Sequence, residues 1–532
     1  MTDSTIETKI VIIGCGIAGL KAAQELYQQK FCQDVVETAP QVLILEARDR
    51  IGGRLYTVDG LNDRYDIGAA WHHDILRNPL FQEEHELKKK NLTASKYIFD
   101  DDYGIIFDEM GTKLNHDKDL KLEVVQNELE KFVELEYFSE LEYPNTSYFK
   151  MVQKYLFRYK DFLTDAQIKY LNGSARCIEL WHGTNWKKLS GKYAQMDHQG
   201  RNAMCLFYKD VVDRMATEFP LDWIKLHSQV CQIKALKDKQ ERISNRNRNL
   251  EILTKDTKNG KITKVLCDYV IVTIPQSVLE QSLYDVPAPG RIEFIPKLNQ
   301  DIYDSFQNIH YGALGKIIFE FDSAWESKHT RFYYTGAINN NIIDAVRNGQ
   351  AFNGEYLNKI DSLTTPTYNN TITEQLDPQN YPLLFVNYMG ITGKPSLVML
   401  MQDPLTSYIE KLNAQDEKAT ICNIFKPILL NLFKHLGYAH ANNHNGSIYS
   451  EILPGLKNII VSNWTIDPYS LGSFTACYPD DDPIELSLSL ERGQSMRIRF
   501  AGEHTIMDGA GCVYGAFESG KREAQYILNN YF

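Results

Sequence analysis

The chain has 532 residues, 43% of them hydrophobic, and carries 69 acidic against 57 basic side chains for a formal net charge of −12. Such a length exceeds what one hydrophobic core usually supports, so two domains are expected, assembled from discontinuous pieces. The acidic balance argues against a nucleic-acid partner, and the lack of an apolar run near about 18 residues argues against a membrane span.

The opening residues MTDSTIETK hold no apolar signal core and the closing ILNNYF is not a peroxisomal tripeptide, so a cytoplasmic location is the expectation. Nine cysteines are scattered without a CxxC pair or ligand spacing, which predicts reduced thiols and no metal site.

In chain order, the first informative run is Ile10–Ile13, continuously apolar and β-branched, as a parallel strand covered on both faces must be. Gly14, Gly16 and Gly19 follow at once. The first permits a tight turn, the second lets backbone approach a pyrophosphate, and the third lets a helix from about Ile17 to Gln29 lie close on the strand. Glu46 ends the next apolar run, Val42–Leu45, where a carboxylate can accept from a ribose 2′-hydroxyl. Arg48 and Arg50 then lead into Gly52-Gly53-Arg54, a second bare turn with a guanidinium able to fork onto phosphate. The βαβ fingerprint alone fits NAD or FAD; a diphosphate approached from two turns suggests FAD.

These segments, with YDIGAAWHH at Tyr65–His73 and FAGEHTIMDGAGCVYGAFESG at Phe500–Gly520, resemble the flavin-containing amine oxidases, and among them the fungal polyamine oxidases. The resemblance runs from near residue 9 to near residue 528. It implies an α/β fold of two domains: a Rossmann-like FAD-binding domain from 1–95, 220–290 and 445–532, and a mixed-sheet plus helical substrate domain from 96–219 and 291–444.

Further along, Asp100, Asp101 and Asp102 read as a solvated turn, whereas the resemblance puts the position of Asp101 at a substrate entrance, holding a distal ammonium. A helix is expected from Asp117, as N-cap, to about Tyr143, with Leu120, Val124, Phe132 and Leu135 near one stripe and Pro144 stopping it. Trp181 and His198 read as a core side chain and a loop residue; the resemblance makes both line a substrate channel. Trp223–Ile233 returns to the nucleotide domain, and Val230 matches the position whose backbone receives the adenine. The tract KDKQERISNRNRN reads as an exposed hairpin tip, and Val265–Ile274 as one strand ended by Pro275.

Lys316 lies at the start of the strand pattern HYGALGKIIFEF, where an amine can be solvated or partly buried; the resemblance has it hold a water beside flavin N5. Residues 345–380 read as a surface insertion, Leu383–Met389 and Ser396–Met401 as buried strands, and Phe425–Leu436 as an amphipathic helix. AHANNHNGS reads as a loop, with His440 and His444 an improbable metal pair. Trp464 belongs to the cofactor site by resemblance. Phe474 stands where many family members have a cage tyrosine, and Cys512 replaces the opposite aromatic wall. Ser473 stands where monoamine oxidases carry the cysteine that bonds flavin, so FAD is expected to be noncovalent. Glu503 matches the carboxylate at the FAD ribityl region.

The implied reaction is oxidation of a polyamine, spermine or an N-acetylated relative. Hydride passes from the carbon beside a secondary amine to flavin N5, the imine is hydrolysed, and O2 is reduced to H2O2. By resemblance His73 lies near the reacting nitrogen and would hydrogen-bond the neutral amine. The alternative is a flavoprotein whose apolar tunnel holds a steroid or other hydrophobic ligand, with little or no oxidase activity.

Overall fold

The computed structural model describes residues 5–28, 41–92, 94–101, 104–114, 117–139, 145–194, 200–236, 248–306, 310–324, 329–337, 339, 341–349, 376–435 and 448–531. His198, residues 237–247 of the polar tract, Pro144, most of 345–380 and the Asn/His tract lie outside them.

The apolar runs Val42–Leu45, Ile10–Ile13, Tyr269–Val272 and Ile498–Phe500, with Ile224–Lys225 at one edge, make a five-stranded parallel sheet in the order 224–225, 42–45, 10–13, 269–272, 498–500. Successive side chains point to opposite faces. Ile10 and Ile12 enter a core with Leu20 and Phe517, from the helices Ile17–Gln28 and Val513–Tyr531. Val11 and Ile13 enter another with Ile233, Ile252 and Val265 of a second five-stranded sheet. Every residue of the strand is therefore buried whichever way it points, and this makes the run continuously apolar.

Two expectations are corrected here. Val265–Ile274 is not one strand: Ile262–Cys267 pairs in the second sheet and Tyr269–Val272 in the parallel one. The chain changes sheets at Asp268, whose carboxylate accepts from Arg248 and Asn249. The acidic helix runs Leu122–Ser139 and does not begin at Asp117, which closes a preceding turn by accepting from the Asp119 and Leu120 amides. Its buried stripe is Leu122, Val125, Leu129, Phe132 and Val133, while Val124 and Leu135 are exposed. It packs with the helices Tyr148–Arg158 and Asp165–Ala175.

A six-stranded sheet takes the order Leu456–Val461, Gly315–Phe321, Ser396–Met401, Leu383–Asn387, Phe332–Thr335, Ile105–Phe107. Its edge strand Leu456–Val461 comes from the 445–532 segment that the sequence groups with the nucleotide site. Parity again sorts the faces. Ile317, Phe319 and Phe321 pack on the helices Leu405–Ala414 and Lys418–His435. Ile318 packs with Trp71 and Trp464 on the other face, so Lys316, two residues before it, points the same way.

Candidate functional site

The glycine turn is built by contacts that admit no side chain. Gly14 has φ +101°, and a Cβ there would stand 2.6 Å from Thr273 Oγ1; at Gly19 a Cβ would stand 2.1 Å from the Gly14 carbonyl. Gly16 differs, since a Cβ there would meet no protein atom nearer than 4.0 Å and would take up cavity space instead. The second turn closes on the first: the Gly52 amide donates to the Cys15 carbonyl at 2.8 Å, and Gly16 bridges Gly52. Beside them the buried Glu46 carboxylate accepts from the Cys15 amide at 2.8 Å and the Arg48 amide at 2.9 Å. Two acceptor positions of that carboxylate are left for a ribose.

The guanidinium groups have protein partners of their own. Arg48 donates to Asp467 at 2.8 Å and to Ser470 at 2.7 Å. Arg50 lies over the Tyr56 ring at 3.7 Å and donates to the Gly53 carbonyl at 2.9 Å. Arg54 pairs with Glu503 at 2.9 Å and donates to the Ser473 carbonyl at 2.6 Å. Cations half-withdrawn from water need such partners. Burial alone pushes the Glu503 carboxyl up; Arg54, His504 and the Thr475 hydroxyl outweigh it and leave it below the usual range.

One large cavity, with about 1910 Å³ of empty space including its open mouth, joins these turns to the six-stranded sheet. Gly14, Gly16, Glu46, Arg48, Gly53, Arg54, Val230 and Glu503 line it, and so do His73, Trp181, Lys316, Trp464, Phe474 and Cys512. Gly19 lies beneath the wall as a packing contact. Asp101 does not line the cavity: its exposed carboxylate is paired with Arg201. Val230 sits at a β-bulge, where the pairing of Ser228–Ala235 with Leu250–Asp256 slips by one residue.

Lys316 is buried, and its Nζ donates to the Asp66 carbonyl at 2.8 Å and the Gly68 carbonyl at 2.5 Å, with the Trp71 ring centroid 5.9 Å away. Burial lowers its pKa from the ordinary lysine value to about 8, against the pull of the Asp66 charge. Asp66 is itself buried and raised to about 6, although the Thr57 hydroxyl and the Phe207 and Tyr208 amides hold its carboxylate. It therefore fastens the Lys316 head through its backbone and the start of the helix Tyr208–Ala216 through its side chain. The motif YDIGAAWHH contains it, but nothing in the spacing points to a partner at position 316.

His73 Nδ1 lies 3.3 Å from Asn202 Oδ1, an oxygen that also accepts the Asp74 amide at 3.2 Å. Nδ1 must then be the donor in the neutral ring, and Nε2 the acceptor. The preceding His72 is fully buried, its pKa depressed to about 3 by burial and by His73. Trp181, 39% exposed, is not the core residue its sequence context suggests. The Trp464 indole donates to the Ile67 carbonyl at 3.0 Å, and the Ser473 hydroxyl bridges the Leu314 amide and the Gly312 carbonyl. Thr475, missed in the sequence, donates to Glu503 at 2.7 Å.

A cradle of bare backbone at Gly16, a buried carboxylate at each of two turns, and a cavity continuing to a buried lysine together fit a flavin nucleotide. A model of the flavin containing amine oxidoreductases matches residues 17–528. The chain belongs to this family.

Among relatives of this flavin amine oxidoreductase, a corticosteroid-binding protein of Candida albicans is 34% identical over 99% of this chain and 97% of its own. Polyamine oxidase 5 of Oryza sativa subsp. japonica is 24% identical, covering 96% of this chain and 86% of its own. A solved putrescine oxidase, a triple mutant redesigned in its cofactor binding, superposes with TM-score 0.60 at 16% identity, over 99% of this chain and 100% of that one. The fold is thus an amine oxidase fold of mixed sheets and helices, and membership implies a flavin, a small amine substrate and O2. Among the described residues no group of His, Cys, Asp and Glu is arranged to hold a metal ion, and no helix is long and apolar enough to cross a membrane.

Proposed function

We propose that the chain is a polyamine oxidase acting on spermine or an N-acetylated polyamine, with noncovalently held FAD. The observation that carries this reading is the buried Lys316 amine on the wall of the cavity that begins at the glycine turns. Bound FAD supplies a two-electron acceptor for hydride from the carbon beside a secondary amine, and O2 takes the electrons on to H2O2. Lys316 uses two donors on backbone carbonyls, which holds its nitrogen in place; its remaining valence, a proton or a lone pair near its pKa of about 8, serves a water for imine hydrolysis. His73, on the cavity wall and oriented by Asn202, is the group to hydrogen-bond the substrate amine and favour the neutral nitrogen that hydride loss requires. Glu46, Gly16, Arg54, Val230, Trp464 and Glu503 are the groups to hold the cofactor. Ser473 cannot form a thioether, which supports noncovalent attachment. Trp181, Phe474 and Cys512 border the substrate space, and the non-aromatic Cys512 opposite Phe474 suits an extended aliphatic chain better than a two-ring cage. His198 is proposed as a channel residue on the resemblance alone. For Asp101, a distal ammonium has to compete with Arg201.

A second reading, a hydrophobic-ligand flavoprotein with idle cofactor, is favoured by the name of the 34% identical Candida albicans relative. The two separate in one measurement. Holoenzyme mixed anaerobically with spermine should lose its visible flavin band, and aeration should restore it with release of peroxide. An unchanged band with intact cofactor overturns the oxidase reading. Flavin that stays with the chain on denaturation overturns noncovalent attachment.

A further inference from the structure

The helix Leu405–Ala414 contributes no residue to the cavity wall, yet two of its side chains hold the backbone that carries the site. Thr406 Oγ1 accepts the Gly315 amide at 3.1 Å, one residue before Lys316. One turn further along the same face, Glu410 is fully buried. Its carboxylate accepts from the Ser462 hydroxyl at 2.5 Å, the Thr465 hydroxyl at 2.6 Å and the Thr465 amide at 2.7 Å. Ser462 is in turn tied to Lys316 twice: its hydroxyl accepts the Lys316 amide at 3.0 Å and its amide donates to the Lys316 carbonyl at 2.9 Å. Trp464 stands between Ser462 and Thr465, and its indole donates to the Ile67 carbonyl.

We infer that Glu410 is a positioning residue of this enzyme: it clamps the backbone segments carrying Lys316 and Trp464 to each other without touching the cavity. The inference rests on the oxidase reading of that cavity. The clamp is built around an acceptor. At least three donors converge on its two oxygens, and an ionised carboxyl accepts all of them with no proton of its own in the way. Burial raises the Glu410 carboxyl, and the Ser462 and Thr465 hydroxyls and the Thr465 and Trp464 backbone amides oppose that rise. A buried charge without a cationic hydrogen-bond partner is a costly choice for mere packing, where a leucine would serve. Gln at this position keeps the shape, but its NH2 must face either the Thr465 amide, which cannot accept, or Ser462, whose hydroxyl must then accept from it and can no longer donate into the clamp.

The test uses holoenzyme of Glu410→Gln, Ser462→Ala and the double variant, each checked for flavin content and thermal midpoint. Displacing Lys316 and Trp464 is expected to lower kcat about tenfold or more, with KM kept within about twofold. Because Glu410 acts on Lys316 through Ser462, the double variant should lose no more than the worse single one. The visible flavin band of Glu410→Gln should also shift before any substrate is added. Wild-type kcat in a flavin-loaded Glu410→Gln, or losses that multiply in the double variant, overturns the inference. If spermine fails to reduce even the wild type, the oxidase reading falls, and the substrate-free spectrum alone decides Glu410: a shifted band supports the clamp and an unchanged band overturns it.

Discussion

Lys316 joins stability and chemistry in one nitrogen. Its folded pKa of about 8 lies below the ordinary value, so the stability it contributes is present above about 10.5 and is lost as pH falls through 8. Lys316→Met removes that titration. Urea unfolding at pH 7 and pH 10 should show the variant gaining relative to wild type at the lower pH, by up to about 1.4 kcal/mol per unit of depression, while turnover is lost at both. The glycines make a sharper pair. Gly19→Ala drives a Cβ to 2.1 Å from a backbone oxygen and should fail to accumulate as folded protein; Gly16→Ala meets only cavity and should fold with a normal thermal midpoint but retain little flavin on gel filtration. Such glycines are legible in the sequence because each has one local task. Asp66 and Glu410 are not, because, Thr57 apart, the donors that give them meaning lie 52 to 250 positions away.

At the scale of elements, the strand Gly315–Phe321 separates packing from function by parity. Phe319→Ala opens the core against the helices behind the sheet and should cost about 3–5 kcal/mol in urea unfolding, with little change in KM. Ile318→Ala acts on the face shared with Trp71 and Trp464, and steady-state assay should show a change in kcat beyond what its smaller loss of stability explains. The strands were readable wherever burial on both faces forces an unbroken apolar run. The reading failed at Asp268, because two strands meant for different sheets abut with a single polar residue between them. It failed again at Asp117, because a carboxylate that closes a turn looks in sequence like one that caps a helix. Val124 and Leu135 misled for a related reason: an apolar residue in a helix need not lie on its buried stripe.

At the scale of the whole molecule, a net charge of −12 favours the approach of cations, and on the polyamine oxidase proposal these include the substrate. Raising ionic strength from about 20 to 500 mM should therefore raise KM for spermine several-fold and leave kcat nearly unchanged, in a simple steady-state series. The resemblance to a family reached further than any local pattern here, since the cavity is drawn from residues as distant as Gly14 and Cys512. Local pattern supplied the glycine turns; only the folded chain shows that Arg54 meets Glu503.

That last pairing has a temporal side. The parallel sheet receives its strand Ile498–Phe500, and the cavity its second carboxylate at Glu503, from a stretch synthesised hundreds of residues after the first glycine turn. The first glycine turn is made at the outset and must wait for the rest. The two carboxylates that line the cavity, Glu46 and Glu503, therefore meet only when segments from opposite ends of the fold's chain order have come together.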